Sequence, residues 1–301
     1  MNQNQFLESY SKFLQKFLKL QKPPRLAGQW SRLARPLKVV FDCSNGVAGL
    51  VLKKIKSPLN SKFIILNSEP DGDFPAHGPN PSKPGATKQL QAAVKKHKAD
   101  LGIIFDADGD RMLCVDNKSR FVDPEVSARL LIWHLKPKKI IIDTTTGWLV
   151  KKLATYNQKL ITSKVGQYFI KQKMRAENAD FGAERSGHYY FREFFGLDSG
   201  ILAAIEVINA VSELPYKLSD FVDFLPQYYR SEIDISVNQR NQRQSALLLK
   251  KIEQTYKNQA LKISRLDGLT MEFADWWFNL RFSQTEPLLR LNIEALEKSK
   301  V

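Results

Sequence analysis

Three aspartates alternate within one short segment of the chain, at Asp106, Asp108 and Asp110. Alternate residues of an extended chain point to the same side, so the three carboxylates can converge. Converging carboxylates repel one another unless a cation lies between them, and a hard ion such as Mg²⁺ takes oxygen ligands. Gly109 allows a tight bend, and Arg111 can neutralise surplus negative charge or hold a phosphoryl oxygen. The segment is therefore a candidate magnesium site.

Other interpretations of this acidic segment fit the residues less well. A calcium loop of the Asp-x-Asp-x-Asp-Gly type needs glycine at its sixth place, where this chain has Arg111. A phosphatase of the haloacid-dehalogenase type would have threonine or valine at the place of Asp110. A solvated acidic turn stays open as a third interpretation, although apolar strand-like runs on both sides disfavour it.

A second polar segment carries Glu184, Ser186 and His188, again at alternate positions, with Gly182 and Gly187 giving backbone freedom. A carboxylate beside a hydroxyl and an imidazole is suited to binding a vicinal diol, because glutamate accepts from two hydroxyls at once. His188 can also donate to a phosphate or transfer a proton. Taken alone, the segment is equally well explained as a structural loop without a ligand.

A third polar segment contains Arg281, Ser283, Gln284 and Thr285 between two apolar strand-like runs. A guanidinium, two hydroxyls, an amide and successive backbone N–H groups can surround an anion. The segment predicts a phosphate site, and a polar surface turn is the alternative.

Alternating strands and helices are expected to hold the first two segments, and this alternation indicates α/β architecture. From residue 227 the pattern changes to extended runs around one helix near 241–256, and Leu218–Leu225 is interpreted as a linker. The predicted fold class is α/β, with two consecutive α/β sandwich domains followed by a small α+β C-terminal domain. The predicted divisions are a helix and linker at 1–30 and domains at 31–134, 135–220 and 221–301.

Residues 1–20 place apolar side chains such as Phe6, Phe13 and Phe17 at helical spacing, and Pro23-Pro24 should end this amphipathic helix. An apolar stripe with no sheet of its own usually packs on another unit. Here that unit could be a domain that precedes the chain.

Composition is that of a globular protein in the cytoplasm. Hydrophobic residues make up 43% and charged residues 26%, and no apolar run approaches the ~20 residues that span a bilayer. Cys43 and Cys114 imply neither a disulfide framework nor a zinc site. The net charge of +15 is spread over several lysine pairs and lacks a nucleic-acid-reading motif, so we expect neither a nucleic-acid nor a membrane partner.

Together the three segments resemble motifs of the phosphomannomutase/phosphoglucomutase family, the α-D-phosphohexomutases. Asp-x-Asp-Gly-Asp-Arg at 106–111 is similar to the family's metal loop, residues 182–201 to its sugar-binding loop and following helix, and residues 281–290 to its distal phosphate loop. The resemblance covers about residues 37–296 and implies the second, third and fourth family domains in order. Further similar motifs are Asp71–Pro75, Pro79–Pro81 and Thr162–Gly166.

The resemblance implies intramolecular phosphoryl transfer on a hexose phosphate, with Mg²⁺ as cofactor and a hexose 1,6-bisphosphate as intermediate or activator. It assigns the metal to the three aspartates and the transferring phosphoryl group to Arg111. Sugar binding is assigned to Glu184, Ser186 and His188, and His188 is also expected to be catalytic. The far phosphate is expected to be bound by Arg281, Ser283, Gln284 and Thr285.

The chain departs from the family pattern at three places, of which Gln284 is a mild departure that should keep the hydrogen bonding. The family's Ser-His-Asn-Pro nucleophile loop has no match, because Asn80-Pro81-Ser82 belongs to a different, second-domain loop. Gln284 stands where asparagine or glycine is common, and Gln167 stands where the family often has histidine, so a proton-transfer role there is in doubt. We therefore expect a mutase whose first domain is separately encoded or lost from the gene model. The alternative is a non-catalytic protein that binds or senses hexose phosphates.

Overall fold

The computed structural model describes residues 2–19, 36–57, 61–152, 157–236, 242–283 and 287–301. Within these ranges the chain forms three five-stranded sheets, one after another along the sequence. Two are mixed α/β sheets and the last is antiparallel throughout, so the predicted fold class is confirmed. Within the same ranges, no helix combines the length and apolarity that crossing a membrane requires.

The first sheet has the strand order β2-β1-β3-β4-β5, in which the first three strands are parallel and the last two are antiparallel. Its central strands are buried on both faces, which explains their unbroken apolar sequence. Its elements are α1 (Gln3–Gln15), β1 (Lys38–Asp42), α2 (Ala48–Leu52), β2 (Lys62–Leu66), α3 (Lys88–His97), β3 (Leu101–Phe105), β4 (Met112–Asp116) and β5 (Phe121–Val122).

The second sheet repeats this topology with the order β7-β6-β8-β9-β10, again parallel and then antiparallel. The acidic segment joins β3 to β4, and the Glu-Ser-His segment joins β8 to β9, so both lie at the same place in the two copies. The second set of elements is α4 (Pro124–Leu135), β6 (Lys139–Asp143), α5 (Trp148–Lys151), β7 (Lys159–Ser163), α6 (Gln167–Glu177), β8 (Phe181–Ala183), β9 (Tyr189–Phe191), β10 (Leu197–Asp198), α7 (Gly200–Glu213) and α8 (Leu218–Phe224).

Helix α7 joins the first two sheets into one core. It is apolar on almost every side and is buried along nearly its whole length, as expected of a central helix. It packs on α4 and also against β3 and β4 of the first sheet, and a single hydrophobic cluster includes residues from both sheets. The loops that the two sheets carry at this shared core are therefore held in fixed relative positions.

The third sheet has the order β11-β15-β14-β13-β12 and its own hydrophobic core. Leu249 and Ile252 of the single helix pack on this core. Its elements are β11 (Tyr229–Ser236), α9 (Gln242–Tyr256), β12 (Lys262–Ser264), β13 (Leu269–Glu272), β14 (Trp276–Phe282) and β15 (Leu288–Ala295).

Two buried glutamates join the third sheet to the second, and we call this contact the Glu125–Glu294 junction. Glu125 at the start of α4 accepts from Gly147 N at 2.6 Å and from Arg230 Nη1 at 2.9 Å. Glu294 of β15 accepts from Trp148 N at 2.8 Å. A Cβ added at Gly147 would lie 2.4 Å from Glu294 Oε1 and 2.6 Å from Glu125 Oε2, so the junction requires glycine there.

The predicted linker at Leu218–Leu225 is wrong, because most of it forms helix α8. The segment is short, but Leu218 and Phe221 are buried and Ser219 N donates to Asn117 Oδ1 at 2.9 Å. The predicted N-terminal helix is confirmed as α1, while Pro23-Pro24 lies outside the described residues.

Candidate active site

The acidic loop, residues 106–111, begins where β3 ends. Asp106, Asp108 and Asp110 each offer an oxygen, and these oxygens lie within 4.8 Å of one another. Asp106 is buried and Asp108 is exposed, so the cluster reaches from the core to the surface. Carboxylate oxygens gathered so closely are the ligand type that Mg²⁺ prefers, and the residues present therefore fit this ion.

Arg111 neutralises part of the negative charge of the acidic loop. Its Nε donates to Asp106 Oδ2 at 2.5 Å, its backbone N donates to Asp106 Oδ1 at 3.1 Å, and its Nη1 donates to Asn80 Oδ1 at 3.3 Å. Burial nevertheless raises the pKa of Asp106 to about 6, and Arg111 only partly opposes this shift. A bound cation would favour the ionised form of this carboxyl.

The Glu-Ser-His loop, residues 184–188, is paired by its backbone with the acidic loop. Arg111 and His188 form an isolated antiparallel bridge, and Met112 N donates to Gly187 O at 3.0 Å. Gly187 has φ +94°, and a Cβ there would approach Met112 O to 3.1 Å. This close approach explains the glycine and brings the two loops side by side.

Side chains of the Glu-Ser-His loop continue this contact. His188 Nε2 lies 3.2 Å from Asp110 Oδ1, and His188 Nδ1 lies 2.8 Å from Ser186 Oγ. Burial would raise the pKa of Asp110, but hydrogen bonds from His188 and Gln167 outweigh it and lower this pKa to about 2. Asp110 therefore stays ionised at neutral pH.

Glu184 is buried beneath the same loop. Its Oε1 accepts from Gly166 N at 3.0 Å, and its Oε2 accepts from Tyr190 OH at 2.5 Å. Burial raises the pKa of this carboxyl, and the negative charge of Asp143 adds to the shift. Glu184 is thus anchored by protein donors on both oxygens, which fixes its direction.

The Arg281 loop, residues 281–287, connects β14 to β15. Arg281 is 8% exposed, and its buried Nε has no hydrogen-bond partner among the described residues. Ser283 N donates to Leu288 O at 2.8 Å, which closes the base of the loop. Gln284 and Thr285 lie outside the described residues.

Asp267 connects the Arg281 loop to the Glu-Ser-His loop. Its Oδ2 accepts from Val165 N at 3.0 Å, next to the Gly166 N–H that binds Glu184. The adjacent Gly268 has φ +71°, and a Cβ there would lie 2.7 Å from Arg281 Cα. The structure therefore brings the first two predicted segments into direct contact and links the third to them through Asp267.

Sequence reasoning missed several residues that support these loops. Asn80 contacts Arg111, Asp267 bridges the second and third sheets, and Lys171 Nζ lies 2.8 Å from Asp198 Oδ1 beside the acidic loop. Two signals were in the sequence: the similar motif that contains Asn80, and the unusual Gln167, which the structure places between Asp110 and His188.

Comparison with known proteins identifies the class to which this fold and site belong. Two family models match: phosphoglucomutase/phosphomannomutase alpha/beta/alpha domain II over residues 11–119 and domain III over residues 126–229. The chain therefore belongs to the phosphoglucomutase/phosphomannomutase family.

Individual relatives extend the match into the third sheet. Phosphomannomutase of Salmonella typhimurium is 37% identical over 86% of this chain and 59% of its own length. Phosphomannomutase of Methanocaldococcus jannaschii is 35% identical over 96% of this chain and 61% of its own length. A crystal structure of a family protein from Burkholderia thailandensis has a TM-score of 0.79 at 25% identity, covering 98% of this chain and 61% of that one. The chain thus spans about three fifths of these relatives.

Proposed function

We propose that the chain provides the metal, sugar and distal-phosphate sites of a phosphohexomutase, which moves a phosphoryl group between two positions of a hexose phosphate. The observation that carries this proposal is the contact of the acidic loop with the Glu-Ser-His loop, through the Arg111–His188 bridge and the 3.2 Å approach of His188 to Asp110. That contact puts candidate ligands for a cation and for sugar hydroxyls side by side.

Each loop then has a distinct role. Asp106, Asp108 and Asp110 would hold Mg²⁺, which would offset the negative charge of the transferring phosphoryl group. Arg111, already directed by Asp106 and Asn80, would contact the same group. Sugar hydroxyls would meet the residues Glu184, Ser186 and His188, and the far phosphate would meet Arg281, Ser283, Gln284 and Thr285.

Transfer also needs a nucleophile, and no Ser-His-Asn-Pro loop occurs in the 301 residues. We propose that a serine-bearing first domain completes the site, as a separate chain or as further sequence. An apolar groove between α1 and the turn after β9 is a suitable surface for it, since Phe6 and Phe195 there are 61% and 74% exposed. Glu184 and Ser186 would bind either a mannose or a glucose phosphate.

The test separates binding from turnover. Calorimetry with glucose 1,6-bisphosphate and Mg²⁺ should show binding to the chain alone, and Arg281→Ala should remove a charge-assisted contact and weaken binding by roughly tenfold or more. Arg265→Ala, which removes an exposed arginine of the same sheet, is the matched control and should bind normally. No binding by the unmodified chain would contradict the proposed site.

Mutase activity should appear only when a serine-bearing first domain from a relative is added. A pair that binds the bisphosphate but never turns it over would favour the second candidate, a non-catalytic protein that holds hexose phosphates. The observation behind that candidate is the missing serine loop in the 301 residues. Turnover by the chain alone would contradict both.

A further inference from the structure

Gln167, the first residue of α6, lies between the acidic loop and the Glu-Ser-His loop. Its Nε2 donates to Asp110 Oδ2 at 2.9 Å and lies 2.8 Å from His188 Nε2. We propose that Gln167 is a positioning residue that directs the Asp110 carboxylate toward the cation, and that Lys171 holds Gln167 in place. This inference rests on the proposed function, because it assumes that the acidic loop binds a divalent metal.

Lys171 determines which way the Gln167 amide faces. Its Nζ donates to Gln167 Oε1 at 3.2 Å and lies 2.8 Å from Asp198 Oδ1. An ammonium group can only donate, so it selects the amide oxygen and turns the NH₂ group toward Asp110. The reversed amide would place two donors together and two acceptors together. Lys171 and Asp110 thus define one orientation from opposite sides.

In this orientation the amide also donates to His188 Nε2, and Asp110 is held by the hydrogen bond at its Oδ2. Oδ2 accepts from Gln167, while Oδ1 lies 3.2 Å from His188 Nε2. A carboxylate has about four lone-pair directions, so both contacts leave directions for a cation. Partners that orient a ligating carboxylate in this way commonly tune metal affinity.

The start of α6 gives Gln167 a fixed base. Gly166, with φ +116°, precedes the helix, and its N–H is bound by the buried Glu184. The preceding Val165 N–H is bound by Asp267. Two carboxylates from different loops therefore anchor the backbone that carries Gln167, and its side chain has little freedom to leave Asp110.

Glutamine is suited to this task because it donates without adding charge. A glutamate at the same place would have no N–H for Asp110 and would add a fourth carboxylate to the acidic cluster. It would also satisfy Lys171, so the helix itself should tolerate it. Gln167→Glu is therefore a nearly isosteric probe that keeps the contact with Lys171 and changes those with Asp110 and His188.

The experiment measures the affinity of the chain for Mn²⁺, a paramagnetic substitute for Mg²⁺, by electron paramagnetic resonance titration. Loss of an orienting partner typically weakens metal binding by about 10–100-fold, and we expect a loss in this range for Gln167→Ala. Lys171→Met should cause a smaller loss, since Lys171 orients the Gln167 amide and pairs with Asp198 while Gln167 itself contacts Asp110. The matched control is Gln172→Ala, an exposed glutamine of the same helix, and it should bind as the unmodified chain does.

Two further measurements separate positioning from general damage. Gln167→Ala should still unfold in one cooperative thermal transition and should still bind glucose 1,6-bisphosphate without metal in calorimetry, because Arg281 lies in another loop. Equal Mn²⁺ affinity in Gln167→Ala and Gln172→Ala would overturn the positioning role and leave the metal site intact. Failure of the unmodified chain to bind Mn²⁺ would overturn the metal site and this inference together.

Discussion

The acidic loop and the Glu125–Glu294 junction are both clusters of carboxylates, yet their surroundings differ. In the acidic loop the guanidinium of Arg111 pairs with Asp106, Gln167 donates to Asp110, and Asp108 is exposed. In the junction two carboxylates from different sheets meet backbone N–H donors and the guanidinium of Arg230. The acidic loop has surplus negative charge, whereas the junction is largely compensated by the protein itself.

This difference indicates what each cluster is for. Compensated buried carboxylates hold parts of a protein together, and removing one partner leaves an expensive unpaired charge. Clustered carboxylates that reach the surface with few protein partners can instead be neutralised by a bound cation. The junction should therefore matter to folding and the acidic loop to binding, and four substitutions test that division.

The largest expected effect is from Arg230→Ala, which leaves Glu125 buried without its cation. We expect the free energy of unfolding to fall by about 3–5 kcal/mol, measured by urea denaturation. The matched control is Arg265→Ala, which breaks an exposed ion pair with Glu253 and should cost less than ~1 kcal/mol. Similar losses in the two variants would mean that the junction is not a structural contact.

The pH dependence of stability tests Glu125 directly. Burial raises the pKa of Glu125 to about 7, and the negative charge of Glu294 adds to this shift. A carboxyl whose pKa is raised on folding binds protons better in the folded state, so its contribution to stability falls as pH rises from about 4.5 to about 7. The fall should be on the order of 3 kcal/mol.

Glu125→Gln isolates that contribution, because glutamine stays neutral. The difference in unfolding free energy between the variant and the unmodified chain should shift in favour of the variant between pH 4.5 and 7 and then stay level. Asp106, with its pKa raised to about 6, contributes in an overlapping range but is present in both proteins and cancels. A pH-independent difference would contradict the assigned role of Glu125.

A smaller loss is expected from Gly147→Ala. The added methyl group would meet both junction carboxylates at less than 3 Å, so one of them must move. Forced overpacking of this kind costs about 1–3 kcal/mol, to be measured by thermal unfolding. Gly72→Ala is a control at an open position with no neighbouring atom within 4 Å of the added carbon.

The smallest effect on stability should come from Asp108→Asn in the acidic loop. Its side chain is exposed, and removing one of three like charges should leave the unfolding free energy within about 0.5 kcal/mol. Mg²⁺ affinity should nevertheless fall roughly tenfold or more, because affinity follows the charge of the ligands. If Asp108→Asn lost stability and kept its Mg²⁺ affinity, the acidic loop would be a structural cluster, which contradicts the division proposed here.

Local features of the site followed from the sequence, while its long-range contacts did not. Alternation predicted that Asp106, Asp108 and Asp110 converge, and their oxygens do lie close together, but the three residues follow the end of β3 and are gathered by the bend at Gly109 rather than by extended chain. The approach of Asp110 to His188 depends on how two sheets pack around α7, and no local pattern specifies that packing. Lys171 was missed because it pairs with Asp198 of β10, which is distant from it in sequence.

The strands were likewise easier to predict than the connections. Buried runs such as Leu101–Phe105, and Ile140–Ile142 within β6, have the continuous apolar sequence that indicates a buried strand. Helix α8 was missed because a short segment between Pro215 and Pro226 has little intrinsic helix preference. Its stability comes from tertiary contacts, including the ion pair of Arg120 with Asp223 at 2.6 Å.

The first two sheets share one strand topology but differ in the side chains of one equivalent hairpin. One plan of strands occurs twice, and the hairpin after its third strand in space carries carboxylates in one copy and a Glu-Ser-His set in the other. The same arrangement of strands therefore supports different polar side chains in the two copies. The backbone pairing of the two hairpins brings these two sets of side chains together.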